Sequence, residues 1–362
     1  MSYSTIDKPT DYFNTVTYTG SAGGQTISGV GNQPDFIWVK QRADAGYDHS
    51  LHNSVSGVLK QLISNSTAAE ITNTDTVTST NADGFVLGAD TAGPNANANN
   101  QDTKTYVAWN WKAGGSASNN TDGSITSSVS VDTTAGFSIV SYTGTGSKNK
   151  ITKADFSTGS LGHGLGVAPN LIITKQKSGT TQWNVQNSIL GYSKYMSLNT
   201  NELSQATGGA LISSVSSTTY SCDGNSAINA GSSSTYVSFC FAEKQGYSKF
   251  GSYAGNGNAD GTFVYTGFKP AFIIIKAYSH NNNWKMFDNR RDPVNNGTGD
   301  PLNANSNDAE DDNTAYDVDF LSNGFKNRNT NANLNHGSYS YFYMAFAENP
   351  LVGSNFVPTT AR

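Results

Sequence analysis

The segment Phe250 to Lys276, FGSYAGNGNADGTFVYTGFKPAFIIIK, occurs twice more in altered form, and this recurrence limits the fold more than any other feature of the chain. In each copy an aromatic residue leads into Tyr-x-Gly, a glycine-containing corner follows, and a proline precedes an apolar strand ending in lysine. Copy one runs from Phe13 to Lys40, with Tyr18-Thr-Gly20, Ser28-Gly-Val-Gly31 and Pro34 ahead of Phe36-Ile-Trp-Val-Lys40. Copy two runs from Phe137 to Lys175, with Tyr142-Thr-Gly144, His163-Gly-Leu-Gly-Val-Ala-Pro169 and Leu171-Ile-Ile-Thr-Lys175. The length of 362 residues leaves room for two or three ordinary domains. Three copies select three.

Each copy closes on a strand led by tyrosine: Tyr106-Val-Ala-Trp-Asn-Trp, Tyr236-Val-Ser-Phe-Cys-Phe and Tyr341-Phe-Tyr-Met-Ala-Phe. Alternation gathers their large residues on one face, which makes Trp109, Trp111, Phe239, Phe241, Met344 and Phe346 the expected core anchors. The proline-led strands are apolar on both faces, the mark of central strands covered on both sides. Pro34, Pro169 and Pro270 are expected at their starts. An Asn-then-acidic element also recurs, as Asn65 to Glu70, Asn199 to Glu202 and Asn305 to Glu310. A Gly-Phe strand start recurs at Phe85 and Phe325, with no obvious counterpart in copy two.

The expected fold class is therefore all-β, built as three tandem antiparallel β-sandwich (jelly-roll-like) repeats. The boundaries are an N-terminal arm at 1–12, repeats at 13–113, 136–243 and 244–350, a Gly/Ser/Asn-rich linker at 114–135, and a tail at 351–362. Only Lys244-Gln-Gly246 separates the second and third repeats, so those two are expected to pack as a rigid pair.

Charged residues make up only 14% of the chain and the net charge is −5, so no basic face for nucleic acid or anionic lipid is implied. The first residues show no export signal, and no apolar run is long enough to span a bilayer. Cys222 and Cys240 either pair or stay as free thiols. Three Asn-x-Ser/Thr sites, at Asn65, Asn119 and Asn296, are what an Asn- and Thr-rich sequence produces by chance.

The stretches Gly136-Phe-Ser-Ile-Val-Ser-Tyr-Thr-Gly144, His163-Gly-Leu-Gly-Val-Ala-Pro169, Gly246-Tyr-Ser-Lys-Phe-Gly-Ser-Tyr-Ala-Gly-Asn-Gly257 and Phe320-Leu-Ser-Asn-Gly-Phe-Lys326 together resemble an uncharacterised repeat domain of tailed bacteriophage virion proteins, especially of marine phages. The resemblance spans nearly all of residues 12 to 350. It implies a fibre-like or capsid-associated structural protein, and the family brings no catalytic residues to carry over.

No His-Glu-x-x-His, nucleophile elbow, phosphate loop or paired-cysteine motif is present. His163 occupies a glycine-rich corner where the other copies have Ser28 and Tyr265, which marks a turn position. Asp308, Glu310, Asp311 and Asp312 form a candidate cation loop, against the simpler reading of a solvated acidic loop. Tyr47, Trp183 and Trp284 are candidate glycan contacts by ring stacking, against core packing in their alternating context. Lys40, Lys175 and Lys276 read as solvated caps on strand ends.

These features point to a non-enzymatic virion protein without cofactors, assembled in the host cytoplasm and carried on the particle exterior as a fibre, decoration or receptor-contacting part. Expected partners are further copies of itself, a trimer being favoured, with other virion proteins and a host surface glycan. The alternatives are a secreted carbohydrate-binding or polysaccharide-depolymerising protein and a self-assembling extracellular filament.

Overall fold

The computed structural model describes residues 4–92, 95, 98–146, 158–206, 211–223, 227–293, 295 and 299–350. Among these the regular elements are β-strands, apart from the short 3-10 turns Pro9–Asp11 and Thr314–Tyr316. The chain is all-β, as its Thr, Val, Ile and aromatic-rich runs between glycine and asparagine turns require.

Unit 1 contains β1 (Phe13–Thr19), β2 (Gln25–Ile27), β3 (Phe36–Gln41), β4 (Ser50–Asn53), β5 (Lys60–Leu62), β6 (Ile71–Thr72), β7 (Val77–Asn81), β8 (Gly84–Leu87) and β9 (Thr105–Trp111). Its larger sheet has the order β1-β9-β3-β4-β5-β6 and its smaller sheet β2-β8-β7. Unit 2 contains β10 (Ser118–Asn120), β11 (Ser127–Asp132), β12 (Phe137–Thr143), β13 (Gly159–Gly162), β14 (Leu171–Gln176) and β15 (Asn184–Asn187). It continues with β16 (Lys194–Ser197), β17 (Gln205–Ala206), β18 (Ile212–Val215), β19 (Thr219–Cys222) and β20 (Thr235–Phe241). Its sheets run β10-β11-β12-β20-β14-β15-β16-β17 and β13-β19-β18.

Unit 3 contains β21 (Ser248–Ala254), β22 (Phe263–Tyr265), β23 (Phe268–Ala277), β24 (Lys285–Asp288), β25 (Leu302–Asn303), β26 (Val318–Leu321), β27 (Gly324–Asn327) and β28 (Ser340–Pro350). Its sheets run β21-β28-β23-β24-β25 and β22-β27-β26. One wiring recurs in all three units. The first strand of the motif pairs with the tyrosine-led last strand, which pairs in turn with the proline-led strand.

The central strands of each larger sheet are buried on both faces. Its outer face meets its own smaller sheet, as Ile37, Val39 and Tyr106 meet Ile27 and Phe85 in unit 1. The inner faces of all three larger sheets share one core, in which Trp109, Trp111, Phe239, Phe241, Met344 and Phe346 sit at no more than 5% exposure. Phe36 of unit 1 lies 4.3 Å from Phe239 of unit 2, and Phe13 stacks at 5.0 Å on Phe346 of unit 3, measured between ring centroids. The units are therefore not separate beads. Their aromatic faces close over one another, and pairs of this kind add about 0.5–1.5 kcal/mol each beyond area burial.

The structure departs from the sequence expectations at several places. The stretch 114–135 is not a loose linker: β10 and β11 extend the larger sheet of unit 2, and Ile125, Val129 and Ala135 are buried. Residues 4–12 pack on their own chain, with Ile6 at 2% exposure in the common core and Asn32 Nδ2 donating to Thr10 O. The Gly-Phe position does exist in unit 2, where Tyr220 of β19 fills it. Pro270 lies inside β23 at a register shift rather than before it, as a residue with no N–H to give must. The tail 351–362 lies outside the described residues.

Candidate functional site

The Tyr-x-Gly motif is a latch. Two tyrosines on paired strands stack in each unit, Tyr18 on Tyr106, Tyr142 on Tyr236 and Tyr253 on Tyr341, with centroids 5.1, 5.1 and 4.9 Å apart. The first hydroxyl of each pair donates to the carbonyl of Asn99, Ile228 or Leu334. The second accepts the N–H of Gln101, Ala230 or His336. Between these contact points lies a fully buried asparagine, Asn100, Asn229 or Asn335. The motif glycine is required by close approach, because a Cβ on Gly20, Gly144 or Gly255 would stand 2.0, 2.1 or 2.3 Å from a backbone oxygen of the clamped loop.

The recurring lysines and the Asn-led elements build the junctions between units. Glu70 N–H donates to Lys177 O, Ser204 N–H to Tyr278 O, and Glu310 N–H to Arg42 O, at 2.8–2.9 Å. Unit 1 thus joins unit 2, unit 2 joins unit 3, and unit 3 returns to unit 1. The side chain two residues before each acceptor is the motif lysine. Lys175 Nζ donates across the first junction to Thr67 O, and to Gln176, Gly179 and Thr181 carbonyls of its own unit. Lys276 Nζ donates across the second to Asn201 O and back to Asn282 O. Lys40 is equally buried and donates to Gln41 O. The reading of these lysines as solvated caps is wrong. Burial pulls Lys40 and Lys175 down to about 8 and Lys276 to about 7.

An aromatic N–H crosses each junction as well. Trp183 Nε1–H donates to Ile63 O and Trp284 Nε1–H to Ser197 O, both at 2.9 Å. In unit 1 the position is His49. Its Nδ1 accepts from Trp38 Nε1–H at 2.8 Å, which leaves Nε2–H to donate to Asn303 O at 2.9 Å. The lead asparagines hold these residues in place: the Oδ1 atoms of Asn65, Asn199 and Asn305 accept the N–H of His49, Trp183 and Trp284.

The third junction carries an ionic chain in addition. Arg42 of unit 1 makes a two-pronged contact with Glu310 at 2.6 and 2.7 Å, and Glu310 also accepts from Arg291 Nη1. Arg291 Nε binds Asp288 Oδ2 at 2.7 Å, and the same oxygen accepts from Trp109 Nε1–H of unit 1. The Arg291 and Asp288 side chains are essentially inaccessible, at 1% and 0%. The adjoining guanidinium groups hold Glu310 below the usual carboxylate range despite its burial. At the centre of the three sheets the packing leaves a cavity of about 20 Å³ between aliphatic and aromatic side chains, including Phe36, Phe239, Phe272 and Met344. With no polar partners a water-sized space of this kind stays dry. It is a packing defect rather than a ligand site.

Residues 8–350 match a family described as a domain of unknown function, DUF7483. The chain belongs to this family. No curated protein matches it. The junctions and latches described above are thus the architecture of one DUF7483 domain spanning three internal units.

In this DUF7483 chain, Trp183 and Trp284 are at 0% and 2% exposure and cannot stack on a sugar; they are junction donors. Tyr47 is half-buried on the β3–β4 turn. The acidic stretch does not form a cation loop. Glu310 is committed to two arginines, Asp308 accepts from Ser306 and Asn303, and Asp311 and Asp312 do not join them. No group of three His, Cys, Asp or Glu suited to a metal ion occurs among the described residues. Cys222 and Cys240 are buried free thiols. His163 is buried in its corner, where its Nδ1 accepts the N–H of Leu165. The junctions escaped sequence reasoning, although their signal was the threefold recurrence of lysine and asparagine at fixed places in the repeat.

Proposed function

We propose that this DUF7483 chain is a non-enzymatic structural protein of a tailed bacteriophage, mounted on the particle exterior as a fibre, decoration or receptor-contacting component. The observation that carries this reading is the closed threefold arrangement of like junctions in one chain. The polar groups that recur in the repeat, the lysines, tryptophans and asparagines, lock the units together, which leaves the outward faces to make contacts. A rigid block of this form suits a particle surface, where threefold positions are common to closed assemblies. The motif resemblance to phage virion repeats supports the same assignment.

Each unit is further read as one jelly-roll-like sandwich. Counted from the motif strand that opens each copy (β1, β12 and β21), the first strand pairs with the last and the next with the last strand but one, the nested wiring of such a roll, with a meander added on the larger sheet. Repeated copies on the particle, or a trimer of chains, belong to this reading, since multiplied weak contacts raise avidity by about 10² to 10⁴.

Mass spectrometry of purified particles, combined with imaging of them, tests the assignment. The chain is expected among the virion proteins in many copies per particle. Recovery only from culture supernatant, away from particles, would overturn it in favour of a secreted carbohydrate-active or filament protein.

A further inference from the structure

The outer face of the smaller sheet in unit 3 differs from its two counterparts. On β22 the rings of Phe263 and Tyr265 are 43% and 54% exposed, while Val264 between them is buried in the unit's own core. Phe263 stands opposite Lys326, which stands opposite Asp319; Tyr265 stands opposite Gly324. Aligned on the buried aromatics Phe85, Tyr220 and Phe325, the positions of Phe263 and Tyr265 are Thr26 and Ser28 in unit 1, and Ser160 and Gly162 in unit 2. Those of Lys326 and Asp319 are Val86 and Ser79, and Ser221 and Ser214. Two units build the same sheet with small residues here, so the fold does not call for the large ones.

The flanking groups are held in place. Asp260 contacts Lys326 Nζ at 2.6 Å and Arg328 Nη1 at 3.2 Å, and Arg328 Nε binds Asp319 at 2.5 Å. Beside Asp260 the surface opens into a groove of about 280 Å³ lined by Ala259, Thr314, Ala315, Asn329, Thr330 and Asn331.

We propose that this face is a glycan platform that takes a neutral hexopyranose chain. Alternate residues of a strand lie about 6.7 Å apart, so the two rings offer neighbouring apolar surfaces at the scale of successive sugar rings. A pyranose has an apolar C–H face for such a ring and a rim of hydroxyls for fixed polar groups. The groove beyond supplies hydroxyl and amide side chains. Two cations and two carboxylates neutralise one another, which gives no pull to an anionic polymer. Two half-exposed rings present on the order of 200 Å², well short of the roughly 800 Å² per side that a stable protein interface buries.

The inference is read on the isolated protein and stands or falls apart from the virion assignment. Calorimetric titration of the full chain with cellohexaose, chitohexaose, maltohexaose and laminarihexaose tests it, with the double variant F263T/Y265S, which installs the residues of unit 1, alongside. At least one sugar is expected to bind, and the variant to bind it at least tenfold more weakly while keeping the parent's melting temperature. Absence of binding by all four at millimolar concentration overturns the proposal, as does equal binding by the variant. A large drop in the variant's melting temperature would make the face structural, and loss of self-association in light scattering would make it an interface between copies; either outcome also overturns it.

Discussion

At the scale of single residues, the motif glycines and lysines carry the clearest consequences. Gly144→Ala places a methyl group against Ala230 O at 2.1 Å, and the clamped loop must move to admit it. Overpacking of this kind costs about 1–3 kcal/mol, and chemical denaturation of the variant is expected to show a loss in that range. The lysines set a pH dependence. A buried lysine with a lowered folded value releases its proton before the unfolded chain does, so the unfolded state binds more protons between about 7 and 10.5 and stability rises with pH across that window. Buried Cys222, raised to about 12, and the raised tyrosines act in the opposite direction above pH 9. Between pH 7 and 8.5 the free energy of unfolding is therefore expected to increase by on the order of 1 kcal/mol, and Lys276→Met to flatten the rise. A decrease over this interval would show that the carbonyl oxygens around Nζ hold the charged form more strongly than burial opposes it.

At the scale of elements, strand identity was legible and strand partnership was not. The tyrosine-led strands, the alternation that sorts their faces and the proline-led central strands stand where the sequence places them, apart from the earlier start of β23 ahead of Pro270, because a period of two is a local property. The same alternation says that Trp109, Phe239 and Phe346 face something apolar without saying that they face one another. β10 and β11 were missed for a different reason. Serine and threonine filled the segment, although Ile125, Val129 and Val131 already alternate within it. The ionic chain between β9, β24 and the Glu310 loop depends on distances that no spacing encodes. Its buried members respond to single truncations: Arg291→Met leaves Asp288 without a counter-charge and Glu310 with Arg42 alone, and about 3–5 kcal/mol should be lost. Denaturation of R291M beside the doubly altered D288N/R291M checks this, since removing the stranded carboxylate as well should recover part of the loss.

For the whole molecule, the common core makes the three units one cooperative body. Three independent sandwiches would melt in separate steps, whereas a shared core and three junctions should give a single transition whose calorimetric and van't Hoff enthalpies agree. Scanning calorimetry distinguishes the two outcomes, and resolved transitions for the units would contradict the arrangement. Phe239→Ala, in contact with both Phe36 and Trp183, is expected to cost about 3–5 kcal/mol and to lower that one transition as a whole.

The covalent joining of the three units bears on how such a surface can change. In a homotrimer every substitution appears three times at once, so a residue that suits one face is imposed on the other two. Here each face is encoded separately, and Phe263 and Tyr265 stand on one side of the body while Thr26 and Ser160 occupy the matching places on the others. A triplicated gene can thus keep the geometry of a symmetric block while its three sides diverge to meet different neighbours.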